Sequence, residues 1–194
     1  DATRSIAASR VCIVVEGGLP ACGKNAGASH ATGDIFLFID ADGVFSDAFL
    51  KRSVKEFMAR KLTVASFFLD SESSRMGFFF NVFYNYPIRL LERILPHGAM
   101  GILITREAWE ATGGFDESVT LAEDHDFVRR ARRFGTFGLI RSAKLRMSMR
   151  RFQKDGWVLT YVKYIFCELH MIFLGPVRSD VFSYQFNHYS DTRK

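Results

Sequence analysis

The first half of the chain alternates continuous apolar runs with segments that carry a helical pattern. A short apolar run bounded by glycine or an acid is typical of a strand buried on both faces. Three such runs predict strands at residues 10–16, 34–40 and 62–70. The segments between them predict a small-residue helix from Lys24 and an amphipathic helix capped by Ser46. This alternation predicts an α/β layer fold.

The second half begins with an aromatic-rich stretch, residues 76–98, in which Pro87 is well placed to start a short helix. The C-terminal residues 153–194 predict a helical tail suited to a membrane surface. The remaining predicted elements are a strand at 101–105, helices at 106–112 and 121–134, strands at 137–141 and 143–149, and a helix from about residue 156.

Charge is distributed unevenly along the chain. Residues 127–154 contain ten Lys or Arg and no acid, which leaves 16 basic against 21 acidic residues elsewhere. Such a block suits phosphate-bearing ligands or an anionic membrane surface, or is a solvated basic face. No nucleic-acid recognition motif accompanies it, so we expect no nucleic-acid partner. The three cysteines lack CxxC spacing, which argues against a disulfide framework or a zinc site and favours a reducing compartment.

Two carboxylates, Asp40 and Asp42, follow the most apolar predicted strand. Alternate residues of an extended chain point the same way, so both carboxylates can converge on one cation. Ligands bind beyond the carboxyl ends of parallel strands, and oxygen ligands suit Mg²⁺ or Mn²⁺. The alternative is a local turn, because aspartate followed by Gly43 is strong turn chemistry.

Two segments of the chain resemble the family-2 inverting glycosyltransferases, which have the GT-A fold. The first is GKNAGASHATGDIFLFIDAD at residues 23–42, and the second is REAWEATGGFDESVTLAEDHDF at residues 106–127. They occur in the family's order, and the resemblance covers roughly residues 1–152. The resemblance implies a partial GT-A-like domain over residues 1–152, in which helices cover both faces of a mixed, mostly parallel sheet. It implies sugar transfer from a nucleotide diphosphate sugar to a hydroxyl acceptor, with inversion and with Mn²⁺ or Mg²⁺ at the leaving diphosphate.

The resemblance also implies roles for the motif residues. Asp124 would be the catalytic base, and Glu123 would orient or contact the acceptor. Asp42 would ligate the metal, and Asp40 would contact the ribose or the metal through a water. The other implied substrate-binding residues are Lys24 and Asn25 at the nucleotide and Gly113, Gly114 and Asp116 beside the sugars.

Several of these residues also have structural interpretations. Thr120 and Glu123 match a capping box, so Glu123 could simply close a helix start. Asp116 could be a local turn acid, and Lys24, which replaces the family's usual arginine, could be a solvated lysine. Two late histidines, His170 and His188, are candidates for a further metal ligand, although a lone histidine is more often structural.

The chain departs from the family pattern at its front, where the first strands and the D-D-G-S-like turn that holds the nucleotide base have no counterpart. We therefore expect an N-terminally truncated version of the fold, and weak or no activity from these 194 residues alone. The implied setting is surface polysaccharide or glycolipid synthesis, with a saccharide or lipid-linked acceptor, in the cytoplasm at the inner face of a membrane. The alternative is a non-catalytic remnant that binds a sugar nucleotide or a membrane.

Overall fold

The structure is a computed structural model that describes residues 2–41, 43–70, 74–147 and 156–179, so Asp42 and His188 lie outside the described residues. The helices are α1 (Thr3–Ser9), α2 (Pro20–His30), α3 (Phe49–Ala59), α4 (Ser74–Phe80), α5 (Tyr86–Leu90), α6 (Arg106–Thr112), α7 (Glu123–Ala131) and α8 (Trp157–Phe173). The strands are β1 (Ile35–Ile39), β2 (Val64–Asp70), β3 (Gly101–Thr105) and β4 (Phe137–Arg146). A π-helical turn, Asn81–Asn85, joins α4 to α5.

The four strands form one mixed sheet in the order β1-β3-β2-β4. β3 is antiparallel to both β1 and β2, whereas β2 and β4 are parallel. Three of the four strands, β1, β2 and β4, therefore run in one direction, which confirms the predicted mixed and mostly parallel sheet. Their carboxyl ends share one edge of the sheet, and the residue that follows β1 at this edge is Asp40.

Buried apolar side chains pack on both faces of the sheet, as predicted. Ile102 and Ile104 of β3 belong to one core and Leu103 to the other, because successive strand residues point to opposite faces. The core between the sheet and α2, α6 and α7 includes Ala21, Ala28, Phe36, Val64, Ala108, Phe115, Phe127, Val128 and Ala131. The core on the side of α3 includes Phe49, Phe57, Leu62, Ala65, Phe67, Leu69, Ile140, Ala143 and Leu145.

The two strands predicted at 137–141 and 143–149 are one continuous strand, β4. Its pairing with β2 shifts register between Phe67 and Phe68, which face Ile140 and Lys144 respectively. A bulge of this kind lets the extra β4 residues leave the ladder while pairing continues on both sides. The predicted break between two strands is therefore an irregularity within one strand.

Residues 10–16 do not form the predicted strand. Val11 is 96% exposed and Ile13 is 73% exposed, and no strand of the described sheet pairs with this segment. An apolar run becomes a strand only where a neighbour takes up its backbone hydrogen bonds, and the described sheet offers none here.

One predicted helix start differs from the structure, and another agrees with it. α3 begins after Ala48, which has a left-handed φ of 60° and no side-chain cap, so Ser46 does not cap it. Pro87 is the second residue of α5 and lies at the start of that helix, as predicted, although α5 follows directly on the π-helical turn. The π-helical turn just before Pro87 shifts the hydrogen-bond register, which accommodates a residue without an N–H.

α8 packs only part of its surface against the domain. Cys167 and Met171 are buried with Val177, whereas Val158 and Phe173 are each 77% exposed. Within the described residues, no helix combines the length and the hydropathy that crossing a bilayer requires.

Candidate active site

The carboxyl end of β1 opens onto a cleft between that strand and α2. The backbone N–H of Asp40 donates to the carbonyl of Met100 at 2.9 Å, which fixes the chain where it leaves the strand. The cleft has a volume of about 570 Å³ and runs along the whole of β1 and on to Ala41, and Lys24 and Asp40 contribute to its lining. Both charged groups lie at the edge of the sheet where ligands bind in α/β folds.

α7 supplies the second group of acids. It starts after Ala122, which has a left-handed φ of 58° and no side-chain cap, so the predicted capping box is wrong. The Thr120 hydroxyl donates to the carbonyl of Val177 at 3.1 Å, and the Thr120 N–H donates to the same carbonyl at 2.8 Å. These bonds turn Thr120 towards the segment after α8, and Glu123 is free to face α2 instead.

Lys24 contacts three carboxylates, one that follows β1 and two in the first turn of α7. Its ammonium lies 2.5 Å from Asp124 Oδ1, 2.8 Å from Glu123 Oε1 and 3.5 Å from Asp40 Oδ1. We call these four residues the carboxylate cluster. Asp40 keeps 39% of its side-chain surface exposed, whereas the side chains of the other three are only 11–12% exposed. The cluster therefore has a buried interior and one acid open to the cleft.

The balance of charge in the carboxylate cluster perturbs both Lys24 and Asp124. Burial alone would lower the pKa of Lys24, but the three carboxylates outweigh burial and raise it above its usual range. Burial raises the pKa of Asp124 to about 7, with Lys24 opposing the rise and Glu123 and Asp40 adding to it. The pKa of Lys24 therefore rises because three acids face one ammonium, whereas the pKa of Asp124 rises mainly because that carboxyl group is buried.

Asn25 ties α2 to the turn before α7. Its amide oxygen accepts from the N–H of Phe115, and its amide nitrogen donates to the carbonyl of Phe115, each at 2.9 Å. The same nitrogen donates to Glu117 Oε1 at 2.9 Å. A β-carbon at Gly114 would lie 2.8 Å from the amide oxygen of Asn25, so this close approach requires glycine. A contact of Asn25 or Gly114 with the donor stays a prediction.

Gly113 and Asp116 shape the ends of the same turn. Gly113 ends α6 in the left-handed conformation with φ 77°, which glycine adopts without a steric penalty. Asp116 accepts from the N–H and hydroxyl of Ser118 and pairs with Arg178 at 2.8 Å. These hydrogen bonds lower the pKa of Asp116 to about 2, so it is ionised. In the structure both residues support the turn, and contact with a sugar stays a prediction.

A second buried polar group lies on the other side of the start of α7, and sequence reasoning missed it. His97, His125 and Glu168 bring potential metal-ligating atoms within 4.8 Å of one another, and we call them the histidine cluster. Burial lowers the pKa of His97 to about 3 and that of His125 well below its usual value, and Arg129 acts in the same direction. Both imidazoles are therefore neutral.

The late histidine that the sequence suggested lies outside this group. His170 Nδ1 is 3.1 Å from the carbonyl of Gly175, where α8 ends. The clue that sequence reasoning could have used is the pair of histidines closest to the motifs, His97 just before the third strand and His125 next to Asp124.

Comparisons with known proteins agree on the type of fold. Residues 3–108 match the family model described as glycosyl transferase family 2, which is more than half of the chain. No curated protein sequence matches the chain.

Among solved structures, the mannosyltransferase PcManGT from Pyrobaculum calidifontis, in complex with GDP-Man and Mn²⁺, matches with a TM-score of 0.55 and 18% identity over 79% of this chain. S. aureus TarS matches with a TM-score of 0.59 in two structures, at 15% identity over 89% of the chain and 16% over 96%. The chain covers 43% of PcManGT and 60% and 38% of the two TarS chains. At these identities the likeness establishes the GT-A fold.

Proposed function

The chain belongs to glycosyl transferase family 2, and on that premise we propose that it transfers a sugar, with inversion, from a nucleotide diphosphate sugar to a hydroxyl acceptor. The observation that carries the proposal is the convergence of Asp40 and Asp124 on Lys24. The acid after β1 and the first acids of α7 thereby border one small volume. A donor diphosphate beside Asp40 and an acceptor hydroxyl beside Asp124 would then both reach the same sugar.

Asp124 is the proposed base. The acceptor hydroxyl passes its proton to the Asp124 carboxylate, its oxygen forms a bond to the anomeric carbon, and the bond from that carbon to the diphosphate oxygen breaks with its electron pair. Attack from the face opposite the leaving group inverts the centre. Asp124 is buried, and its raised pKa of about 7 suits a base that must accept a proton near neutral pH. Glu123 would orient the acceptor or the base.

Asp40 and Asp42 would hold a divalent cation, Mn²⁺ or Mg²⁺. Carboxylate oxygens suit these hard ions, and Asp40 is the exposed acid of the carboxylate cluster, at the wall of the cleft. The solved complex of PcManGT with GDP-Man and Mn²⁺ supports a donor and a metal of these classes. When bound, the metal would offset the negative charge that grows on the leaving diphosphate. Lys24 would add a fixed positive charge beside it, and Asn25, Gly113, Gly114 and Asp116 would shape the donor and acceptor walls.

We also propose that α8 contacts an anionic membrane surface, which suits a lipid-linked or surface-polysaccharide acceptor at the cytoplasmic face. Phe166 is 59% exposed and Phe173 is 77% exposed, and Lys163 lies on the same helix. Co-sedimentation with vesicles that contain anionic lipid should fall several-fold in Phe166→Ser and Phe173→Ser. Met58→Ser, which removes an equally exposed apolar side chain from α3, is the control. Equal losses in all three variants would refute a specific role for α8.

The transfer reaction is tested in the full-length protein with a panel of nucleotide sugars and Mn²⁺. Asp124→Asn should lower kcat/KM by about 10²- to 10⁴-fold, because the amide keeps the shape of the side chain and cannot accept the proton. Asp126→Asn is the matched control, since Asp126 lies in the same helical turn and pairs with Arg130 instead.

Two outcomes would contradict the proposed function. Turnover by Asp124→Asn within about tenfold of wild type would remove the base. A wild-type protein that binds a nucleotide sugar without transferring or hydrolysing any would favour the non-catalytic alternative.

A further inference from the structure

We propose that His97, His125 and Glu168 form a second metal site, separate from the carboxylate cluster, that takes Zn²⁺ or a similar borderline metal. The three residues come from separate parts of the chain. His97 lies in the connection before β3, His125 in the first turn of α7, and Glu168 in the middle of α8. A metal there would fasten α8 to α7 at the residue next to Asp124.

The side chains already face one another. His97 Nε2 lies 2.9 Å from His125 Nε2, with the two rings nearly perpendicular at 79°. Glu168 Oε2 is 3.6 Å from His125 Nε2, and Glu168 Oε1 is 3.8 Å from His97 Nδ1. Ligand atoms of a tetrahedral Zn²⁺ are about 3.4 Å apart when each bond is about 2.1 Å. One ligand atom from each of the three residues lies within 4.8 Å of the others, so the side chains would close by up to about 1.4 Å to hold the ion.

The donor set determines the class of metal. Two imidazole nitrogens and one carboxylate suit Zn²⁺ and other late first-row ions, whereas Mg²⁺ and Ca²⁺ prefer oxygen alone. Three protein ligands also leave a fourth position for water or a substrate group. The histidine cluster thus differs in kind from Asp40 and Asp42, which offer only oxygen.

One observation favours a site over a plain hydrogen-bonded group. Arg129 Nη2 lies 2.5 Å from Glu168 Oε1 and holds the carboxylate in place. Metal centres regularly include a residue that does not bind the metal itself but holds a metal ligand in position by a hydrogen bond. The second ring nitrogen of His125, Nδ1, is buried and has no hydrogen-bond partner among the described residues, so it gives no argument for a metal at Nε2.

The cluster can be tested by calorimetric titration of the metal-free full-length protein with Zn²⁺ and, separately, with Mg²⁺. We expect one Zn²⁺ site that Mg²⁺ does not occupy. His97→Asn and Glu168→Gln, which keep most of the side-chain shape, should each weaken Zn²⁺ binding at least about tenfold. His30→Asn, at an exposed histidine of α2, should bind Zn²⁺ like wild type. Asp40→Asn should also retain Zn²⁺ binding, which separates this site from the proposed transfer reaction.

A second readout does not depend on variants that could fail to fold. In wild-type protein with ¹⁵N-labelled histidine, Zn²⁺ should shift the ring signals of two of the five histidines, His97 and His125. Absence of Zn²⁺ binding would overturn the proposal. Binding that survives both His97→Asn and Glu168→Gln unchanged would overturn it too, as would shifts confined to other histidines.

Discussion

Two buried polar clusters flank the start of α7, and consecutive residues of that helix belong to different ones. Asp124 lies against Lys24 in the carboxylate cluster, and His125 lies against His97 in the histidine cluster. The first is made of charged groups held together by one ammonium. The second pairs two neutral imidazoles with a carboxylate that is held by Arg129.

The comparison shows that the first turn of one helix can contribute to two sites with different ligand-binding properties. In the carboxylate cluster three acids share a single cation, so its stability depends on charge and therefore on pH. In the histidine cluster the imidazoles are uncharged and offer nitrogen lone pairs. We expect the first to respond to a hard cation and a diphosphate, and the second to a borderline metal.

The largest expected effect on stability comes from removing the only ammonium in the carboxylate cluster. Lys24→Met should cost about 3 kcal/mol of unfolding free energy at pH 8, because it leaves buried carboxylates uncompensated. The cost should be smaller at pH 5. Without the ammonium, the pKa of Asp124, already raised to about 7, rises further. A carboxyl group whose pKa is raised by folding favours the folded state while it is protonated, and this contribution is lost as the pH rises through that pKa. Urea denaturation at both pH values measures the difference.

The control for this prediction is an ion pair at the surface. Lys144 lies 3.8 Å from Asp70, and their side chains are 45% and 34% exposed. Lys144→Met should cost less than about 1 kcal/mol at either pH, since solvent screens the pair. Lys24→Arg should restore most of the stability lost in Lys24→Met. Equal costs for Lys24→Met and Lys144→Met would mean that the carboxylate cluster does not depend on its cation.

Two family motifs pointed to the carboxylate cluster, whereas the sequence offered only the position of two histidines beside those motifs as a clue to the histidine cluster. Lys24 and Asp124 are 100 residues apart, and only their places in two family motifs connected them beforehand. His97, His125 and Glu168 belong to no common spacing, because three separate elements bring them together. The expectation of no zinc site considered cysteine spacing alone, and a site built from isolated histidines leaves no such pattern.

The same distinction applies to the fold. Continuous apolar runs predicted β1, β2 and β3 correctly, because burial on both faces leaves a local signature. The run at residues 10–16 carries that signature and forms no strand. Strand formation also requires a neighbouring strand, and the run itself does not show whether one is there. The cap assigned to Thr120 failed for a similar reason, because Thr120 bonds to Val177, far along the chain.

The smallest expected effect on stability comes from substitutions in the turn that Asn25 holds beside the carboxylate cluster. Gly113 and Gly114 both have left-handed backbone, with φ of 77° and 76°, so alanine at either should cost about 1 kcal/mol of unfolding free energy in strain. A β-carbon at Gly113 meets no atom within 4 Å, whereas one at Gly114 would lie 2.8 Å from the Asn25 amide oxygen. Gly114→Ala should therefore cost about 1 kcal/mol more than Gly113→Ala, because the bond from Phe115 to Asn25 is disturbed.

That extra cost should be confined to the carboxylate cluster. Asn25 follows Lys24 on α2, so displacing it moves the ammonium that faces Asp124. We expect Gly114→Ala to weaken donor binding more than Gly113→Ala does, while both variants keep the response of His97 and His125 to Zn²⁺. If Gly114→Ala disturbed both clusters equally, the start of α7 would move as one unit. The carboxylate cluster and the histidine cluster would then be coupled through α7, rather than positioned independently by α2 and α8.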